Sequence, residues 1–135
     1  MRDACQENET DMTNQKGRLL AIDTGSTSTK IGYFVDGELA FEENLAHRAE
    51  DLAGFKHVME QDTLRRDDVR IFMRGKGIHA QDIDIVMARG GLFYPVVTGI
   101  YSVNEDMREV LRNCKYGRHA CNLSAIIADD LAKEI

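Results

Sequence analysis

The chain has 135 residues, enough for one domain with a real core and too few for two of ordinary size. Apolar residues make up 43% and charged residues 30%, the balance of a soluble globular protein, and a net charge of −6 leaves no basic stripe for nucleic acid. No apolar run approaches the roughly 18 residues of a membrane span, and the polar N-terminus lacks a signal-peptide pattern, so a cytoplasmic location with no membrane partner is the default.

Residues 1 to 16 carry almost no apolar side chains and are rich in Asn, Gln, Glu and Asp. Such a segment cannot bury enough surface to offset its ordering entropy, so it reads as a disordered polar tail before a domain spanning residues 17 to 135. Arg18 to Asp23 is a short apolar strand, and Lys30 to Val35 is a second, after the turn Thr24-Gly25-Ser26-Thr27-Ser28-Thr29. Asp36-Gly37 is a strong hairpin signal and leads into a third strand, Glu38 to Leu45, which completes an antiparallel meander. From Ala49 the period becomes helical. Leu52, Phe55 and Met59 share one face, Val69, Phe72 and Met73 repeat it after a break near Asp62, and Gly75 and Gly77 end the second helix.

Ile83 to Ala88 reads as a buried strand that closes in Arg89-Gly90-Gly91. Tyr94 to Val103, around Gly99, reads as a small hairpin or loop. Asn104 is an N-cap for a helix that buries Met107, Val110 and Leu111 and stops at Gly117. A last helix starts near Cys121, with Leu123, Ile126, Ile127 and Leu131 as its apolar stripe. The expected fold class is α/β: a mixed sheet with an N-terminal antiparallel three-strand meander and flanking helices.

Three cysteines, Cys5, Cys114 and Cys121, do not make a disulfide framework. Cys114, His119 and Cys121 lack the spacing and the ligand count of a zinc site, so the thiols read as reduced and structural. His47, His57 and His79 fall on polar positions with no special role.

Asp23-Thr24-Gly25-Ser26-Thr27-Ser28-Thr29-Lys30 carries the most chemistry. A carboxylate ends a buried strand, a glycine allows a tight turn, and small hydroxyl residues leave backbone amides open to an anion. Phosphate needs several convergent donors, and magnesium-bound phosphate also needs a carboxylate, usually acting through water. The stretch is not a Walker A loop, because Lys30 lacks a preceding glycine and leads into a strand. A hydroxyl-rich hairpin turn with a solvated Asp23 is the competing reading, and spacing alone leaves both open.

Placed between two strands, this stretch resembles the first phosphate loop of the sugar-kinase and actin superfamily. With Arg89-Gly90-Gly91-Leu92, Tyr101-Ser102-Val103-Asn104-Glu105 and His119-Ala120-Cys121-Asn122-Leu123 in the same order, residues 17 to 135 resemble the amino half of a butyrate kinase of the acetate-kinase family. The resemblance implies an actin-like ATPase (ribonuclease H-like) lobe. It also implies reversible transfer of a phosphoryl group from ATP, with Mg2+, to a short-chain carboxylate, giving an acyl phosphate. In those terms Asp23, Gly25, Ser26, Thr27, Ser28, Thr29 and Lys30 bind Mg-ATP phosphates, with Asp23 holding the metal through water. Arg89 and His119 are catalytic, and Arg89, Gly90, Gly91 and Asn122 meet the substrate.

Two departures stand out. The family typically carries Asn-Pro where this chain has Asp23-Thr24, which adds negative charge beside the phosphates. Family members are also considerably longer. The expectation is an incomplete chain whose C-terminal nucleotide lobe acts in cis or in trans, with self-association as a further route to covering its surface. The Asp23 to Lys30 stretch also resembles the ATPase activators of 2-hydroxyacyl-CoA dehydratases. Those hold an iron–sulfur cluster through placed cysteines, for which Cys114 and Cys121 are poor candidates. A non-catalytic interaction module of the same fold is the third reading.

Overall fold

A computed structural model describes residues 16–135; the expected polar tail, apart from Lys16, and Cys5 lie outside the described residues. Strands β1 (Arg18–Thr24), β2 (Ser28–Val35) and β3 (Glu38–Ala46) form the expected antiparallel meander. The β2–β3 turn has Asp36 at φ 52° and Gly37 at φ 85°, the left-handed pair that a two-residue hairpin of native twist demands. Strand β4 (Ile85–Ala88) adds in parallel to β1, giving the order β3-β2-β1-β4. The mixed α/β sheet expected from the sequence is therefore present.

Helix α1 (Ala49–Leu52) is a single turn, not the start of a long helix through Met59. Two local causes are visible. Arg48 supplies no side-chain cap, and Gly54 follows one residue after the C-cap, where a glycine costs a helix about 1 kcal/mol. The chain resumes as a 3-10 turn, Val58–Gln61, that feeds α2 (Asp62–Gly75). Tyr94 to Val103 takes the loop alternative; the Tyr101 hydroxyl closes it by donating to the Val97 carbonyl at 2.6 Å. Asn104 caps α3 (Glu105–Arg112) as expected, its side-chain oxygen accepting from the Met107 amide at 2.8 Å. Helix α4 (Asn122–Ala132) is more deeply placed than an amphipathic stripe implies, with every residue from Asn122 to Ala128 buried.

Both α2 and α4 lie on one face of the sheet. Leu20 and Ile22 of β1 and Ile31 and Tyr33 of β2 pack there against Val69, Phe72, Leu123, Ile127 and Leu131. A smaller cluster of Leu111, Ala125 and Ile126 ties α3 to the outer side of α4. Among the described residues nothing covers the opposite sheet face: Ala21, Gly32, Phe34, Leu39 and Met87 line an open groove of about 750 Å³. Strand β4 thus differs from the fully buried strand expected, since Ile85 is 49% exposed at the sheet edge. Uncovered apolar surface of this kind should make the 135-residue chain bind a hydrophobic dye and self-associate as concentration rises, as light scattering would register. A monodisperse, dye-silent monomer would contradict that expectation.

Among the described residues, no helix is long and apolar enough to cross a membrane.

Candidate active site

The parallel pairing of β4 with β1 decides what meets at the carboxyl ends of the strands. Asp23 lies near the end of β1, Arg89 follows β4, and the Arg89 amide continues the ladder by donating to the Ile22 carbonyl at 3.0 Å. The antiparallel register sets Lys30 directly opposite Asp23. The Arg89 guanidinium lies 3.4 Å from the Asp23 carboxylate. These residues, with Thr24, Gly25, Ser28, Gly90, Gly91, Leu92, His119 and Cys121, line one cleft of about 410 Å³. Such a crevice at the carboxyl ends of β-strands is where open α/β sheets bind ligands.

The turn between β1 and β2 is narrow: the Gly25 amide donates to the Ser28 carbonyl at 2.8 Å. Gly25 is not in the left-handed region. Its value is closeness, because an added Cβ would sit 3.4 Å from the Ser28 carbonyl oxygen. Ser26 and Thr27 are exposed at the tip, and their amides have no acceptor among the described residues. They are therefore available to an anion.

Thr24, fully buried, fastens the loop to α4. Its amide donates to Ser124 Oγ at 3.0 Å and its hydroxyl to the Ala120 carbonyl at 2.6 Å. A proline here, as the butyrate-kinase pattern has, could make neither bond.

Two expected contacts are redirected. Thr29 is fully buried and donates its hydroxyl to Asp68 at 2.8 Å, so it supports the loop from below instead of facing a phosphate. Asn122 is also fully buried: its Oδ1 accepts from the Leu92 amide at 2.8 Å and its Nδ2 donates to the Gly117 carbonyl at 2.9 Å. It braces the segment after Arg89 and does not line the cleft. Gly91 is the contact point. A Cβ there would come within 2.9 Å of the Asn122 Cα and 2.8 Å of Leu111 Cδ2, so only glycine lets the loop lie on α4. Gly90 is exposed, with open space around it.

His119 is exposed and lines the cleft, and its Nδ1 accepts from the Cys121 amide at 3.0 Å. In the neutral ring that bond leaves Nε2 as the N–H donor. Burial pushes the Cys121 thiol up from its ordinary value, which keeps it protonated and poorly nucleophilic. Cys114 and Cys121 are both free thiols.

The sequence reading missed a polar network under the loop. His47, assigned no role, has its Nε2 2.8 Å from an Asp68 carboxylate oxygen, and both side chains are about nine-tenths buried. Arg65 joins them through Thr29. A signal was available: Gln61, Arg65 and Asp68 fall at i, i+4 and i+7 on the stripe that Val69 and Phe72 continue, so polar residues occupy a core-facing helical row.

The chain is 41% identical over 118 residues to butyrate kinase 1 of Clostridium acetobutylicum, a match covering 87% of this chain and 33% of that protein. This chain is homologous to the butyrate kinases. Similar matches reach a probable butyrate kinase of Phocaeicola vulgatus, 43% identical over 117 residues with 87% and 32% covered, and one of Listeria monocytogenes, 40% identical over 117 residues with 87% and 33% covered. The chain thus spans about a third of the length of the curated butyrate kinases it matches. No protein-family model matches it. The four-stranded mixed sheet with its flanking helices is consistent with the actin-like ATPase lobe of a butyrate kinase.

Proposed function

We propose that this chain forms the phosphate-loop and arginine wall of a carboxylate phosphotransferase, one that moves the terminal phosphoryl group of ATP onto butyrate or a related short-chain carboxylate. The observation that supports it is the lining of one cleft by Asp23, Ser28, Lys30, Arg89 and His119, beside the open turn amides of Ser26 and Thr27. In the reaction a carboxylate oxygen bonds to the terminal phosphorus while the bond to the ADP oxygen breaks. The products are an acyl phosphate and ADP. The protein's part in such a transfer is positioning and charge neutralisation.

Arg89 offers a planar fork that matches a carboxylate or phosphoryl group bidentately, and Lys30 offers a point charge. The Nε2–H of His119 can donate to a phosphoryl oxygen, and the loop amides hold the other phosphates. Magnesium, when bound, screens the phosphate charge. Asp23 would hold it, and a single half-buried carboxylate fits a cation that draws its other ligands from phosphate and water. The adenosine end is left to a second lobe, in cis or in trans.

The 135-residue polypeptide by itself is expected to give no acyl hydroxamate from ATP, magnesium and butyrate, because among the described residues the cleft has no second wall to close over the phosphates. Butyryl phosphate and magnesium tripolyphosphate at millimolar concentration should nevertheless shift the amide resonances of residues 25–28 and 89–92. Silence at those positions would remove the reading, and robust turnover by the purified chain would overturn the two-lobe division.

A further inference from the structure

Arg65 is the largest fully buried side chain in the described structure, and it carries a charge. Taking a guanidinium out of water costs several kcal/mol unless its N–H groups are satisfied. Packing α2 on the sheet does not call for one, since Val69 and Phe72 already fill that contact. Its donors go to four neutral oxygens. Nε and Nη2 donate to Gln61 Oε1 at 3.1 and 2.9 Å, and Nη1 donates to Thr29 Oγ1 at 3.1 Å. Nη2 also donates to the carbonyls of Gly25 and Ser26, at 2.8 and 3.3 Å.

The last two acceptors belong to the β1–β2 turn. In a planar trans peptide the C=O and the following N–H point in opposite directions. Drawing the Gly25 and Ser26 carbonyls inward therefore turns the Ser26 and Thr27 amides outward, and these are the amides without an acceptor. Thr29, which Arg65 also grips, is fixed from its other side by Asp68 at 2.8 Å, one turn further along α2. Burial lowers the Arg65 pKa from its ordinary value, and the nearby Asp68 charge opposes that shift.

We propose that Arg65 is a positioning residue for the turn: from inside the core it holds the Gly25 and Ser26 carbonyls and so presents the Ser26 and Thr27 amides to an incoming phosphate. The anchoring stands on the geometry alone, whereas its purpose rests on the phosphate-loop reading above.

Amide hydrogen exchange on the 135-residue chain tests the anchoring, with magnesium tripolyphosphate as the probe of its purpose. Two hydrogen-bonded amides report on the turn: Gly25, bonded to the Ser28 carbonyl, and His47, bonded to the Thr27 carbonyl, both at 2.8 Å. In Arg65→Met they should exchange about tenfold faster while Val69 and Phe72 keep wild-type protection, and tripolyphosphate should bind about tenfold more weakly. Arg65→Lys should recover only part of both, since an ammonium cannot serve a fork of acceptors. Wild-type exchange at Gly25 and His47 in either folded variant overturns the proposal. If Arg65→Met does not fold, Arg65→Lys, which keeps stem and charge, carries the same measurement. A loosened turn in the variants, together with no tripolyphosphate binding by the unmodified chain, keeps Arg65 as the anchor and removes the phosphate-loop reading instead.

Discussion

Replacing Arg89 by alanine is expected to lower kcat/KM by about 10²-fold, roughly 2.7 kcal/mol of transition-state binding, in an enzyme completed by the carboxy-terminal part of a butyrate kinase relative. The side chain is well placed for such an effect and poorly placed to act as a strut. It is 73% exposed, and its contact with Asp23 at 3.4 Å is an exposed ion pair of the kind worth about 0–1 kcal/mol. Its backbone, not its guanidinium, continues the β1–β4 ladder. Truncation should therefore leave Tm within a few degrees of the parent while turnover collapses. Arg89→Lys should restore part of the rate, because a point charge replaces a bidentate fork. An arginine that merely finishes a strand predicts the reverse pattern, with lower Tm and near-normal kinetics. Retained activity in Arg89→Ala would remove this residue from the chemistry, whatever the rest of the cleft does.

The legible parts of this fold were those governed by short-range rules. The meander follows from alternating apolar runs and Asp36-Gly37, whose positive φ values few other residue pairs accept. The cap at Asn104 likewise needs only its own side chain and the next turn. The failed long helix at Ala49 shows the limit of periodicity: Leu52, Phe55 and Met59 have helical spacing, yet the uncapped start and Gly54 leave only one turn. The cleft divides in the same way. Asp23, Gly25 and Lys30 are neighbours in sequence and could be read as a unit. The support beneath them joins residues 18 to 40 positions apart, His47 to Thr29 and Arg65 and Asp68 to the turn, so only the packed structure shows it. Thr29 and Asn122 sit in motif segments, where the sequence points to ligand contacts. Motif position does not distinguish a side chain facing the cleft from one holding the cleft's floor.

Asn122→Ala should show that floor directly, by destabilising the chain by about 3 kcal/mol in urea unfolding. The side chain is fully buried and satisfies two backbone groups from different loops, the Leu92 amide at 2.8 Å and the Gly117 carbonyl at 2.9 Å. Alanine leaves both of these part-buried groups unpaired, and each lost partner costs about 1–3 kcal/mol. Water cannot readily replace the amide, because Gly91 packs against this residue closely enough that an added Cβ would lie 2.9 Å from its Cα. Asn122→Asp separates the two bonds. It keeps an acceptor for Leu92 but sets a carboxylate against the Gly117 carbonyl, so its loss should be no smaller than that of alanine. Exchange of the Leu92 amide gives the local readout, and it should accelerate more than that of the α2 core amides in Asn122→Ala. A loss below about 1 kcal/mol, with Leu92 still protected, would mean that the loop after Arg89 is held in place by Gly91 packing alone.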